Sequence, residues 1–386
     1  MDHLHRHGAA APARLSGWAA AILIGAWAVS AAGAPPPAAA RIVRAQVDTV
    51  GFAVSPADFA VVLAAAGAAE DSTVAARRAA LGLDSEAPWV AAVMPHDDYL
   101  YAGRVYRHLM PGLRARTWVL LGVCHACRRA GVRDRLLFDD ADAWRVAGRE
   151  TPVDAALRAE LLAALGAQMA TIESGRHRAE HSLEALLPWL REAVPEARIV
   201  PILVPGMSWP RLEELAGRLA AALAAACRER GWRPGPDLGL LISADAVHYG
   251  CAGWGEGGGY HPFGCDEAGH AAGRAQDLTL ALATLSGPLV EDGPARFARL
   301  VWKPGDPSDP YLITWCGLYS IPAGLLTATR LQRELGEPSL TGHLLRYGDS
   351  VIDPPLAAAG TRLGTTAAAN LQHWVGYAAV GWVAAP

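Results

Sequence analysis

The hydrophobic pattern opens with a short apolar run from Trp18 to Val29, broken soon afterwards by Pro35, Pro36 and Pro37. Beyond that break, residues 55 to 83 have helical character, with Ser55 and Pro56 as a start signal. Five later runs are short, apolar and rich in β-branched or aromatic residues, and each is bounded by Gly, Pro or charge. They are Trp89–Met94, Thr117–Val123, Arg198–Val204, Leu238–Ser243 and Gly376–Val383, and they predict buried strands. Between them, Ala155–Leu165, Ser182–Ala193 and Pro210–Arg230 predict helices. Strands alternating with helices predict an α/β fold, a single domain with a central, mostly parallel or mixed sheet flanked by helices. Two loops stand out: residues 251 to 266, rich in glycine and carrying Trp254, Tyr260 and His261, and the proline-rich residues 302 to 310. Neither is long enough to link two domains, so one domain is expected from about residue 45 to 386.

Composition narrows the classes. With 386 residues, 52% of them hydrophobic and 19% charged, the chain can bury a large core, and its net charge of −4 argues against a nucleic-acid surface. Arg6 and its neighbouring histidines precede the first apolar run, and small residues follow through Ala34. That order fits a signal peptide, so residues 1–40 are expected to be a signal peptide or an N-terminal anchor with a Pro/Ala-rich linker. The run is shorter than the roughly 20 residues a spanning helix needs. Membrane attachment is therefore expected only through an uncleaved anchor, and the expected location is exported or periplasmic, the alternative being cytoplasmic. Of the six cysteines, Cys251 and Cys265 are a conceivable pair in an oxidising compartment. Cys124 and Cys127 form a C-x-x-C with no second such pair to complete a structural zinc site.

The chemistry-bearing residues gather at predicted strand ends. His96 follows the first strand in MPHDDYLYAG, His125 the second in LGVCHAC, and His248 the fourth in SADAVHYG. Open α/β sheets bind ligands at the carboxyl ends of their strands, so these histidines are expected to converge. Asp245, three residues before His248, either faces that imidazole and sets its tautomer or caps the following turn. AEHSLEALLPWL adds Glu180, His181 and Glu184 at the start of an amphipathic helix, as site residues or as plain capping.

In this order, PHDDYLYAG, LGVCH, EHSLE with LPWL, VPILV and SADAVHYG resemble the Memo family, which includes the B component of the AmmeMemoRadiSam gene system. TWCGLYSIPAGLL and VGYAAVGW are similar to its C-terminal part. Memo proteins are similar in fold to the class III extradiol (LigB-like) dioxygenases, which hold non-haem iron. The resemblance implies His96 and His125 as metal ligands, Cys316 where the dioxygenases have a glutamate, and Asp245 with His248 as an acid/base pair. A thiolate beside two imidazoles suits iron(II) or copper, with zinc as an alternative, and leaves positions open for substrate. Without the resemblance, Cys316 reads as a small buried hydrophobe.

The chain departs from the family pattern at three places. Asp97 and Asp98 stand where Ala-Gly is usual. They either add a ligand, orient His96 from behind it or repel an anionic substrate, or are solvent-facing turn residues, Asp98 more so than Asp97. Cys124 replaces a serine and either offers a second thiol to the pocket or oxidises with Cys127. Ser243-Ala244-Asp245 replaces Ser-Ser-Asp. The expected function is a metal-dependent oxidoreductase with an unidentified small-molecule or peptide substrate. The alternatives are a non-catalytic copper- or iron-binding scaffold and, behind it, a zinc hydrolase with His248 as base. GEGGG at 255 to 259 lacks the strand-to-helix context of a phosphate loop. The gene system implies radical-SAM and AMMECR1-like partners, from which export would separate the chain.

Overall fold

In the computed structural model, ten strands assemble into one mixed sheet. The structure describes residues 40–254, 259–303 and 310–385. Apart from Ala40, the expected leader lies outside the described residues, as do most of the glycine run and part of the proline-rich loop. Residues Arg41–Pro386 cluster as one unit.

The centre of the sheet is parallel. Ala91–Met94 pairs with Leu238–Ser243, which pairs with Thr117–Val123, which pairs with Arg198–Val204, all in the same direction. These strands are apolar on both faces because helices cover both sides. Along Thr117–Val123, Val119 and Leu121 enter one buried cluster while Trp118 and Leu120 enter the other, the period of two that a pleated strand imposes. Each such fully buried side chain contributes roughly 1.5–3 kcal/mol over its exposed state. Trp374–Ala384 runs antiparallel to Ala91–Met94 and pairs on its other edge with Leu340–Asp349. Leu136–Phe138 runs antiparallel to Arg198–Val204 and closes the opposite side with Ala170–Ile172. A separate three-stranded sheet holds Val43–Ala45, Ala143–Val146 and Arg149–Pro152.

The predicted elements fall within a few residues of where expected. The first helix spans Pro56–Ala80, and Ser55 caps it by accepting from the Asp58 N–H. By length and hydropathy it could cross a membrane, yet it is pinned to the core. Its buried Glu70 meets His108 Nε2 at 3.0 Å and Arg104 and Arg346 at 3.2 Å each. The helix expected over Ser182–Ala193 starts later, as a 3₁₀ turn Glu184–Leu186 followed by Leu187–Ala193, because Glu180 holds the backbone of His181 and Ser182 in a loop. Helices Tyr99–Leu109, Glu267–Leu285, Gly293–Val301 and Ser320–Leu335 complete the flanking layers.

Candidate metal centre

Three neighbouring parallel strands, Ala91–Met94, Leu238–Ser243 and Thr117–Val123, end side by side, so the residues just beyond them meet. His96 leaves the first, Asp245 the second and His125 the third. Cys316 reaches the same point from a distant loop. That loop is tied on by a bridge between Val247 and Trp315 and by the Cys316 N–H donating to the Ala246 carbonyl at 3.2 Å. Gly317 makes the approach feasible, since a Cβ there would lie 2.3 Å from that of Ala244. Gly122 does the same for the Glu180 segment, where a Cβ would lie 2.6 Å from Leu183.

Hydrogen bonds orient both imidazoles. The Ser243 hydroxyl donates its one proton to the Ser182 carbonyl at 2.5 Å, so it must accept from His96 Nδ1–H at 2.8 Å. Glu180 accepts His125 Nδ1–H at 2.8 Å on one oxygen and the His125 backbone N–H at 2.8 Å on the other. Burial alone would raise the Glu180 carboxyl. His125, His181 and the backbone N–H of Ser182 outweigh it and hold the group down at about 2. Glu180 is thus an acceptor, and His96 keeps a bare Nε2. At His125, Cys316 and Glu180 outweigh burial and raise the imidazole well above its usual range, so a metal would have to displace the proton its Nε2 turns to the sulfur.

Those two nitrogens converge on one sulfur: Cys316 Sγ lies 3.3 Å from His96 Nε2 and 3.3 Å from His125 Nε2. Ligands at about 2.05 Å (N) and 2.3 Å (S) on a tetrahedral ion sit roughly 3.5 Å apart, so this donor set fits a metal with little adjustment. Burial pushes the Cys316 thiol up, although His125 partly offsets this. Burial, followed by His125, His181 and His248, pushes His96 well below its usual range, so it is a neutral donor. Among the described residues, two groups place ligand atoms within 4.8 Å of one another: His96, His125 and His181, and His96, Asp245 and Cys316. His181 therefore stands as a further donor, its ring stacked on His125 at 4.8 Å.

Two expectations require correction. Asp245 does not hydrogen-bond His248, its Oδ2 lying 4.0 Å from His248 Nε2. Nor does it cap the following turn. The chain after Asp245 is extended, and His248–Tyr249 pairs with Trp374–Val375, so a spacing of three does not return the imidazole to the carboxylate. Asp245 turns to His96 instead, accepting its backbone N–H at 2.9 Å and lying 3.3 Å from its Nε2. His248 Nε2 is buried without a hydrogen-bond partner, and burial, helped by His125, lowers this imidazole to about 3. Asp98 is not solvent-facing: it is buried and accepts from the Thr366 hydroxyl at 2.8 Å and the Thr366 N–H at 2.5 Å. Burial and the adjacent Asp97 raise it to about 7. Asp97 accepts from Tyr377 Oη at 2.5 Å, and burial raises it too. Cys124 is bonded to Cys127, with Cα atoms 5.3 Å apart, and Cys251 to Cys265, 6.3 Å apart.

The Memo-like protein profile matches residues 74–257. Residues 74–257 are therefore similar to the Memo family. It is 29% identical over 168 residues to a MEMO1 family protein of Thermococcus kodakarensis, covering 42% of this chain and 53% of that one. A MEMO1 family protein of Methanosarcina barkeri is 30% identical over 162 residues, 42% of this chain and 55% of its own. The matched stretch thus spans about half the length of these relatives. A crystal structure of an uncharacterized protein from Escherichia coli K12 aligns over 74% of this chain and 98% of that one. Its sequence identity is 16% and its TM-score 0.35.

Two contributors escaped the sequence reading. Ser243, which sets the His96 tautomer, was noted only as part of a motif. Asp277 carried no local signal at all. It is buried on helix Glu267–Leu285 and accepts from the Trp315 indole N–H, the Val247 N–H at 3.2 Å and the Tyr347 hydroxyl at 2.9 Å. It thereby clamps together the segments that carry Cys316 and His248.

Proposed function

We propose that this Memo-like chain binds a redox-active transition metal, iron(II) or copper, on His96, His125 and Cys316. In this reading it acts as a non-haem metal-dependent oxidoreductase, related in design to the extradiol dioxygenases. The observation that carries the reading is the pair of 3.3 Å approaches of Cys316 Sγ to two Nε2 atoms whose Nδ1 protons are already committed. A bound ion would supply one-electron chemistry and open coordination positions. The protein's own residues do the rest. Ser243 and Glu180 orient the imidazoles, and Asp245 holds the His96 backbone. Neutral His248, with its unpartnered Nε2, is positioned to accept a hydrogen bond from a substrate.

The 4.0 Å gap between Asp245 and His248 favours a second reading, a copper- or iron-binding protein without turnover, because the acid/base pair is not assembled in this geometry. Partnership with radical-SAM and AMMECR1-like proteins, and export, are carried as proposals from the family resemblance and the leader pattern. The two cysteine pairs accord with an oxidising compartment.

Metal analysis of anaerobically purified protein tests the site against His96→Ala, His125→Ala and Cys316→Ser. Near-stoichiometric iron or copper, lost in all three folded variants, supports it. Metal retained by the variants, or absent from reconstituted wild type, sinks it. Substrate-dependent oxygen uptake that disappears in His248→Ala then separates turnover from storage.

A further inference from the structure

Beside the metal candidates the structure opens a cavity of about 820 Å³ with His125 and Cys316 on its wall. Arg128, Arg129 and Arg133 line the same cavity, and among the described residues its wall contains no carboxylate. Some arginines elsewhere are answered by acids, Arg44 by Glu184, Arg274 by Asp349 and Arg330 by Glu291, and others such as Arg77, which donates to the Leu344 carbonyl, are not. Among the described residues Arg128, Arg129 and Arg133 have no acidic partner, and all three are exposed. The Arg128 guanidinium instead lies 5.9 Å from the centre of the Tyr311 ring. Tyr319 and Trp254 line the cavity as well, giving it flat aromatic walls.

The nearby acids line a second cavity. This smaller cavity of about 240 Å³, which shares His125 and Trp254 with the first, holds Asp97, Asp98 and Asp245. Of the two cavities that share His125, one is lined by cations and the other by acids. Guanidinium groups present paired N–H donors that match a carboxylate, and three uncompensated cations raise the local concentration of anions.

We infer that the larger cavity is the substrate subsite for a small organic anion with a flat, apolar body. Its anionic group is held by Arg128 and Arg133, its body lies against Tyr311 and Tyr319, and its other end reaches His125 and Cys316. The inference rests on the proposed metal function for what happens at that far end, whereas anion recognition is a property of the arginine loop.

The test titrates the full chain with sodium benzoate, neutral benzamide and inorganic phosphate, followed by tryptophan fluorescence and calorimetry. The same titrations are run on the Arg128→Gln/Arg133→Gln double variant. Benzoate should bind at least tenfold more tightly than benzamide and than phosphate, and more weakly as salt rises. The double variant should lose that preference by at least tenfold while keeping its melting temperature and metal content. Equal binding of benzoate and benzamide, or unchanged benzoate affinity in the variant, overturns the inference. Phosphate binding as tightly as benzoate overturns it too, since charge alone would then suffice. Benzoate selectivity that persists in protein shown to hold no metal sinks the metal function and leaves the anion subsite standing.

Discussion

Glu180→Gln changes one atom type and should weaken the centre without emptying the core. Glu180 is 4% exposed. Its Oε1 accepts from His125 Nδ1 and from the backbones of His181 and Ser182, and its Oε2 accepts from the His125 backbone. A glutamine can keep the first set through its carbonyl, but its amide then meets the His125 N–H donor to donor. One buried hydrogen bond is lost, about 1–3 kcal/mol of stability. The imidazole also loses the carboxylate that makes it a stronger ligand, for which about 10–100-fold in metal affinity is expected. The pH profile follows from the same bonds. Holding a carboxyl at about 2 rather than 4.5 stabilises the fold by about 3 kcal/mol. That stability is fully present above pH 4.5 and is lost as pH falls towards 2. Zinc, as a redox-silent probe, should be measured by competition with a chromogenic chelator at pH 7, and stability by urea unfolding between pH 2 and 7. If the variant holds zinc within twofold of wild type and unfolds at the same urea concentration, Glu180 does not orient His125 as described.

Four other outcomes are expected. Asp98, raised to about 7 by burial and Asp97, binds a proton in the fold that the unfolded chain has released. Its contribution therefore falls as pH rises from about 4 to 7, and Asp98→Asn should be more stable than wild type at pH 8 by on the order of 2–4 kcal/mol in thermal or urea melts; equal pH slopes in the two proteins count against this. Gly317→Ala should force Cys316 away from Ala244, cost about 1–3 kcal/mol, and lower zinc affinity more than it lowers the melting temperature, which the same chelator assay reports. Thiol titration of unreduced, denatured protein should count two free thiols, Cys227 and Cys316, and six would show that neither pair forms. Because the Cys124–Cys127 loop is so short, Cys124→Ser should cost no more than about 2 kcal/mol.

The central strands were legible because burial on both faces leaves an uninterrupted apolar run, as in Val119, Leu120 and Leu121. Helix Ser320–Leu335 was not, since it buries Ser320, Thr327 and Gln332 among its apolar residues and carries Pro322 and Gly324. Strand Leu340–Asp349 hid behind His343, Arg346 and two glycines. At the site, His96 and His125 announced themselves by position, each just past a strand. Cys316 had no such signal and came only through resemblance to a family. The Asp245–His248 pairing misled because a spacing of three implies contact only on a turn, and this segment is extended.

Cys316 lies 220 residues from His96 and 191 from His125 along the chain. During synthesis the two histidines emerge early, yet the thiol that completes the set follows only after most of the sheet has been made. Closing so long a loop is entropically costly and comes late in folding. A metal ion that requires all three donors would thus be captured by the finished topology and not by a nascent fragment. Loading would then act as a readout of completed folding, and the tightness of capture would add directly to the stability of the closed chain.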